Sequence, residues 1–332
     1  MTDAGRPVLA RWHVDLPDLS GRRALVTGAS DGVGAEIARA LAGAGAHVVM
    51  PVRSRAKAAV VTQRILAETP DAQLSVRLAD LSSLGSVDGL VRQLLAEEEP
   101  IDMLVLNAGI VLLGDPARHV STDGFELHLQ TNALSHVALT AGILPLLRAR
   151  GSRVAVQCSL AVKHGTLAFD DLQVERGYRP LRAYTASKVA LGLFAVELAR
   201  RSGAGDWGVR VALCHPGIAL TNIAPAELRG RRSPGARLGR ALMERRILSQ
   251  SAGEAALPAL RAVTSPDVSS GELVVPSGAF ELHGSPRARK PYRSIADPLA
   301  AARAWDVLTQ LAGARFPAEP GTPPLGPGSG RG

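Results

Sequence analysis

Tyr184 and Lys188 stand four residues apart in the run Arg182-Ala-Tyr-Thr-Ala-Ser-Lys188. Side chains at i and i+4 share one face of a helix. The apolar stretch that follows, Val189 to Arg200, reads as helical. With three tyrosines and four lysines in the chain, chance would produce this spacing roughly 0.04 times. A phenol with a pKa of about 10 is a poor acid or base at neutral pH. An ammonium about 4 Å away favours the phenolate by up to roughly 4 kcal/mol at an effective dielectric of about 20, which is about three pH units. Lys188 is thus expected to lower the pKa of Tyr184 and let it shuttle a proton. The same spacing also suits a tyrosine and a lysine on the surface of an amphipathic helix.

The elements that would position such a pair follow from the rest of the chain. Its 332 residues suffice for one large core, or at most two domains. The net charge is +8, and 34 of the 38 basic residues are arginine. They are spread out and no aromatic stacking series accompanies them, which argues against nucleic-acid binding. Cys158 and Cys214 each close an apolar run and read as buried free thiols of a reducing compartment, not as a disulfide framework or a metal site. The N-terminus carries Asp3, Arg6 and Asp15 with no apolar leader. The longest apolar stretch, Val137 to Leu147, is too short to span a membrane. A soluble, cytoplasmic protein is expected.

Short apolar strands alternate with longer helical patterns. Strands are predicted at Ala24–Thr27, His47–Met50, Gln73–Ala79, Asp102–Leu106, Arg153–Gln157, Val209–Leu213 and Gly271–Val275. Helices are predicted through Ile37 and Leu41, and over Ala56–Glu68, Ser86–Glu97, Gly124–Arg148 and Tyr184–Arg200. This alternation predicts an α/β fold: a single Rossmann-type, doubly wound parallel sheet of about seven strands with helices on both faces. Residues 1–17 read as an N-terminal arm and 18–312 as one catalytic domain, with a substrate lid at about 218–250. The Pro/Gly-rich composition of 313–332 predicts a disordered tail.

The first strand runs into Thr27-Gly-Ala-Ser-Asp-Gly-Val-Gly34 and then a helix. In that position Gly28 allows a tight turn, Gly32 lets backbone approach a pyrophosphate, and Gly34 allows close helix packing. Free N–H groups at the helix start would hold phosphate. Ser30, Asp31 and Val33 complete this candidate cofactor loop. The second strand ends in Met50-Pro-Val-Arg-Ser54 without the carboxylate that an NAD site places there. Arg53 can pair with a 2′-phosphate bidentately and Ser54 can add a hydroxyl. NADP(H) is therefore preferred over NAD(H). Pro51 beside Arg53 and Asp31 in the glycine loop both weaken that preference without reversing it.

On these residues the chain resembles the short-chain dehydrogenase/reductase family over nearly its whole length. The resemblance implies that Asp80 and Leu81 contact adenine, that Asn107-Ala108-Gly109 close the fourth strand, and that Asn132 holds a water. It implies Ser159, Tyr184 and Lys188 as catalytic residues with Asn132, and Pro216, Gly217 and Thr221 on the nicotinamide side. Arg53, the Asp80-Leu-Ser-Ser-Leu84 segment, the spacing from Ser159 to Tyr184 and the Phe169-Asp-Asp-Leu172 segment resemble the subgroup of retinol dehydrogenases and protochlorophyllide reductases. Residues 271–283 are similar to the C-terminal end of bacterial members. Cys158 stands where the family commonly has a serine, and strand alternation points it away from Ser159.

The resemblance implies reversible hydride transfer between NADP(H) and a carbonyl or alcohol. Tyr184 would give its proton to the developing alkoxide, Ser159 would position that oxygen, and Lys188 would also hold the nicotinamide ribose. The segment after Pro216 offers an apolar wall, including Ile218, Leu220 and Ile223, among arginines such as Arg231 and Arg232. It suits a lipophilic small-molecule substrate with an acidic handle or an acidic carrier; the same arginines also suit a solvated lid edge. The resemblance allows a homo-oligomer. A sugar-nucleotide epimerase or dehydratase would also use Tyr-x-x-x-Lys, but with a different glycine spacing and a larger C-terminal domain. A non-catalytic dinucleotide-binding protein would be expected to lack the serine, tyrosine or lysine.

Overall fold

The computed structural model describes residues 12–219 and 249–318. Each apolar run of the sequence becomes a short strand, and each intervening periodic stretch a helix. In chain order these are β1 (Arg23–Val26), α1 (Gly32–Gly43), β2 (His47–Val52), α2 (Arg55–Glu68), β3 (Leu74–Leu78), α3 (Leu84–Glu97) and β4 (Met103–Leu106). Next come α4 (Leu127–Leu129), a π-helical turn (Gln130–Leu134), α5 (Ser135–Gly142), α6 (Leu144–Arg148) and β5 (Arg153–Gln157). A 3₁₀ turn (Leu160–His164), α7 (Pro180–Ala204) and β6 (Arg210–Cys214) follow. The described chain ends with α8 (Ala252–Thr264), β7 (Leu273–Pro276), β8 (Pro286–Arg289), α9 (Arg293–Ala296) and α10 (Pro298–Leu311).

The strands form one sheet in the order β3-β2-β1-β4-β5-β6-β7-β8. All neighbours are parallel except β8, which runs antiparallel to β7. Strand alternation divides the core in two. Leu25, Leu104, Val154 and Leu213 pack with residues of α3, α5, α7 and α10 on one face. Val26, Val105, Ala155 and Cys214 pack with residues of α1, α2 and α8 on the other. Because the chain moves outward to β2 and β3 and then returns to β4, the carboxyl ends of β1 and β4 frame a crevice at the switch point.

Three differences from the sequence reading have local causes. The helix predicted over Gly124–Arg148 starts at Leu127, passes through the π turn and breaks before Pro145. Its break falls at Ile143, which leaves helical dihedrals (φ −96°, ψ 9°). The helix at Ser251 was masked by Pro258 in its interior, although Ser251 and Glu254 form a full capping box. An eighth strand was not expected because Pro286-Arg-Ala-Arg289 carries no apolar alternation; as an antiparallel edge strand it needs little.

The predicted arm and tail are described in part. Trp12 stacks on His283 with ring centroids 5.8 Å apart. Beyond the predicted boundary at 312, Phe316 packs against Trp207 and Trp305. Thr221 and nearly all of the predicted lid lie outside the described residues. The chain enters and leaves that segment at one point, where Ala219 bridges Gln250 and the Gln250 amide nitrogen donates to the Ile218 carbonyl at 2.9 Å. No described helix is long and apolar enough to cross a membrane.

Helix α10 covers α7 through Trp305, which stacks on fully buried Phe194 at 5.2 Å and lies 4.7 Å from the Arg201 guanidinium carbon. Trp305→Ala should lower folding free energy by about 3–5 kcal/mol. Urea denaturation measures this, and a loss below about 1 kcal/mol would show that α10 does not seal the core.

Candidate active site

The glycine loop is shaped by close approach rather than by flexibility alone. A Cβ on Gly34 would lie 2.3 Å from the Gly28 carbonyl oxygen and 2.4 Å from Asn107 Nδ2. Gly28 sits at φ +70°, where its Cβ would come within 2.9 Å of Ala108 Cα. The loop therefore seats against the end of β4 and leaves the N-terminus of α1 facing the crevice. Asp31 caps that helix, its Oδ1 accepting from Gly32 N at 2.7 Å, and its other oxygen lies 3.5 Å from Lys57 Nζ.

Thr27 ties β1 to β4. Its hydroxyl oxygen accepts from the amides of Asn107 and Ala108, both at 3.0 Å, and Asn107 Nδ2 donates to the Thr27 carbonyl at 2.8 Å. Gln157 at the end of β5 donates through Nε2 to Asn107 Oδ1 at 2.6 Å. The Gln157 carbonyl accepts from Lys188 Nζ at 2.9 Å. One continuous set of hydrogen bonds thus runs from the glycine loop to the buried lysine. Sequence reading had named Asn107 and Lys188 but missed Gln157, whose type alone carries no signal, and the bracing role of Thr27.

Lys188 is almost fully buried, and burial lowers its pKa to about 8. The buried thiols Cys158 and Cys214 only partly offset this. A Cβ on Gly109 would stand 3.2 Å from both Lys188 Nζ and Asn132 Oδ1, so only glycine leaves this corner open. Tyr184 is half-buried, one turn into α7 because the helix begins at Pro180. Its pKa is raised, not lowered as the spacing suggested. Burial is the main cause, and a hydrogen bond with Ser159 acts in the opposite direction. The lysine spends its hydrogen bond on Gln157, and desolvation outweighs any benefit of its charge to the phenol. Ser159 also caps the 3₁₀ turn, accepting from Ala161 N at 3.2 Å.

Asn132 lies in the π turn and is fully buried. Its Oδ1 accepts from Ile110 N at 2.8 Å, and its Nδ2 donates to the Ile110 carbonyl at 3.1 Å and to Ser187 Oγ at 2.9 Å. The side chain fastens the loop after β4 to α7. The π turn widens the helix where this fastening occurs. His136, one turn on, was not anticipated. Its ring spans Asn132 O at 3.2 Å and Thr27 Oγ1 at 3.1 Å.

At the nucleotide end, Arg53 is exposed and makes no hydrogen bond or ion pair with another described residue. Ser54 caps α2, accepting from Lys57 N at 3.4 Å. Asp80 Oδ1 receives the Ser82 amide at 2.9 Å and the Ser82 hydroxyl at 2.8 Å, which turns the chain after β3. The Leu81 carbonyl accepts from Ser135 Oγ at 2.6 Å. Ser30 and Val33 sit in the glycine loop between β1 and α1. Opposite, Gly217 has φ +64° and presses on Leu282, whose carbonyl oxygen a Cβ would meet at 2.3 Å. Pro216 O accepts from Gln250 Nε2 at 2.5 Å. The cradle of α1 and the narrow glycine positions together fit a nicotinamide dinucleotide. Both cysteines are free and buried.

Two buried imidazoles set an acid limit on the fold. Burial lowers the pKa of His136 to about 3, helped by the nearby Lys188 charge, and that of His215 to about 4. Depressed histidine values leave full stability above the unfolded value of about 6.5 and remove it as pH falls toward the folded value. Between pH 7 and pH 5 each histidine should cost about 2 kcal/mol, before the carboxylates titrate. Denaturation at the two pH values tests this; equal stability at both would contradict the buried, neutral assignment.

Known proteins with the same organisation exist. Residues 22–231 match the family model described as short chain dehydrogenase. The chain is 40% identical over 208 residues to a "Probable oxidoreductase" of Streptomyces antibioticus, covering 62% of this chain and 67% of that one. It is 37% identical over 217 residues to "Retinol dehydrogenase 14" of Mus musculus, covering 62% of this chain and 63% of that one. The match thus spans just under two thirds of the length of the mouse relative. Among solved structures, an uncharacterized protein from Mycobacterium paratuberculosis superposes with a TM-score of 0.73 at 31% identity, over 92% of this chain and 98% of that one.

Proposed function

The chain belongs to the short-chain dehydrogenase family, and on that premise we propose that it is an NADP(H)-dependent oxidoreductase interconverting a carbonyl and an alcohol on a lipophilic substrate, acting as a ketoreductase. The observation that carries this reading is the buried Lys188, tied through Gln157 and Asn107 to the glycine loop, on the same helix as Tyr184, on whose phenol Ser159 acts. Gly28, Gly32, Gly34 and the start of α1 would hold the pyrophosphate. Arg53 and Ser54 would take the 2′-phosphate, and Asp80 and Leu81 the adenine. Asn107-Ala108-Gly109, Pro216, Gly217 and Thr221 would line the nicotinamide half.

Once bound, a nicotinamide dinucleotide would supply the hydride. The protein's own work is to position the carbonyl and protonate its oxygen. Tyr184 carries its proton at neutral pH and is the group that would give it to the developing alkoxide, whose own affinity for a proton exceeds that of the phenolate. Ser159 Oγ would donate to the same oxygen and hold it within reach of the phenol. Lys188, still mostly protonated at pH 7, places a positive charge where negative charge develops. Asn132 keeps the loop after β4 and α7 in register, and a water held beside it would reprotonate the site. A half-buried apolar run, Ile110-Val-Leu-Leu113, leads away from this corner and supports a lipophilic substrate. The name of the retinol-oxidising relative agrees with that chemistry.

Tyr184→Phe, assayed by carbonyl-dependent consumption of NADPH, should lose about 10³-fold in kcat with NADPH binding retained. NADPH should outperform NADH in the unaltered protein. Wild-type turnover in the phenylalanine variant would sink the mechanism, and a clear preference for NADH would sink the assignment of Arg53.

A further inference from the structure

We infer that Glu281, Tyr292 and His215 form a one-directional hydrogen-bond relay that positions the Pro216–Gly217 loop against the turn carrying Ser159. Donor and acceptor roles along it are fixed by one starting point. The Gly217 amide can only donate, and it points to His215 Nδ1 at 3.1 Å. His215 Nδ1 must therefore be unprotonated, which puts the ring proton on Nε2. Nε2 then donates to Tyr292 Oη at 2.9 Å, and Tyr292 donates to Glu281 Oε2 at 2.6 Å. The carboxylate at the end of the relay is also held by Lys163 Nζ at 3.2 Å, Arg289 Nη1 at 2.5 Å and Arg287 Nη2 at 3.5 Å. Lys163 belongs to the 3₁₀ turn that Ser159 caps. The relay thus joins the turn that Ser159 caps, reached through Lys163, to the proposed nicotinamide loop, reached through the Gly217 amide.

Its surroundings point the same way. Glu281, His215 and Tyr292 are all buried. Burial alone would raise the pKa of Glu281, but the donors from Tyr292, Arg289 and Lys163 outweigh it and bring it to about 2. A permanently ionised acceptor keeps the relay pointing one way. Phe280 and Glu281 are successive non-glycine residues at positive φ, 54° and 63°. Backbone of that kind persists only where its surroundings over-determine it. Immediately after it, the Leu282 carbonyl receives Ile218 N at 2.9 Å and presses on Gly217. The strained turn therefore fixes the loop twice, once through main chain and once through the relay. Neither His215, Tyr292 nor Glu281 is assigned contact with cofactor or substrate, so all three are positioning residues.

The inference rests on the reading of 216–217 as a nicotinamide-side loop, so the test separates the two halves of the cofactor. Titrations of the full chain use NADPH and, as a probe of the adenine half alone, 2′,5′-ADP. Tyr292→Phe keeps the ring beneath the Arg289 guanidinium, 4.8 Å away, and removes only the hydroxyl. Its NADPH dissociation constant should rise about tenfold, the size expected for one lost hydrogen bond, with 2′,5′-ADP affinity unchanged. Glu281→Gln, which leaves the relay without an ionised acceptor, should show the same split. Unchanged NADPH affinity in both variants overturns the inference, and so does a parallel loss of 2′,5′-ADP affinity, which marks general unfolding. If the unaltered protein binds no NADPH, the functional reading fails and the relay is judged alone by ¹⁵N NMR of His215. Nε2 protonation in the unaltered protein, with an Nε2 resonance that shifts in Tyr292→Phe as its acceptor is lost, supports it; protonation at Nδ1, or an Nε2 resonance unmoved in Tyr292→Phe, overturns it.

Discussion

A buried ammonium must be met by an acceptor, and for Lys188 that acceptor is the Gln157 carbonyl at the end of β5. This one contact organises much of what surrounds it. The charge costs the fold about 3 kcal/mol at pH 7, from the drop in its pKa to about 8. That cost is present below the folded value and fades as pH rises toward the ordinary lysine value. The lysine's acceptor has to stay in place, and the bonds from Gln157 to Asn107 and from Asn107 to Thr27 hold three strand ends together. The glycine loop, the loop after β4 and the lysine consequently share one rigid frame.

The tyrosine answers to a different force. Spacing put Tyr184 and Lys188 on one helix face, and that holds, but proximity did not translate into a lower phenol pKa. Burial acts on both groups and drives their pKa values apart, the phenol upward and the ammonium downward. Ser159 acts on the phenol directly, and it also terminates β5 by capping the turn that carries Lys163. The strained turn at Phe280 and Glu281 gives the opposite wall of the site comparable rigidity.

Sequence made the parallel core legible because each strand from β1 to β7 is a short apolar run bounded by turn residues. It made the glycine loop legible because Gly28 and Gly34 have no substitute at their contact distances. What it hid follows from physics as well. Gln157, His136 and His215 act through where they are held, and no local pattern marks a buried polar side chain that is satisfied by distant partners. Pro258 disguised α8, and the charged edge strand β8 lacked the alternation of its neighbours. The sign of the Tyr184 shift was missed because spacing reports which groups can meet, while desolvation depends on everything else that packs around them.

The pH dependence of kcat/KM for NADPH-dependent carbonyl reduction tests the central claim most directly, since that parameter reports the ionisations of the free enzyme. A buried Lys188 with a pKa of about 8 must lose its charge as pH rises through that value. The rate should therefore hold level from pH 6.5 to pH 7.5 and fall by about tenfold for each pH unit well above 8. A profile that stays flat up to about pH 10 would contradict the account, because it would show that no group with the depressed pKa of the buried lysine serves the reaction.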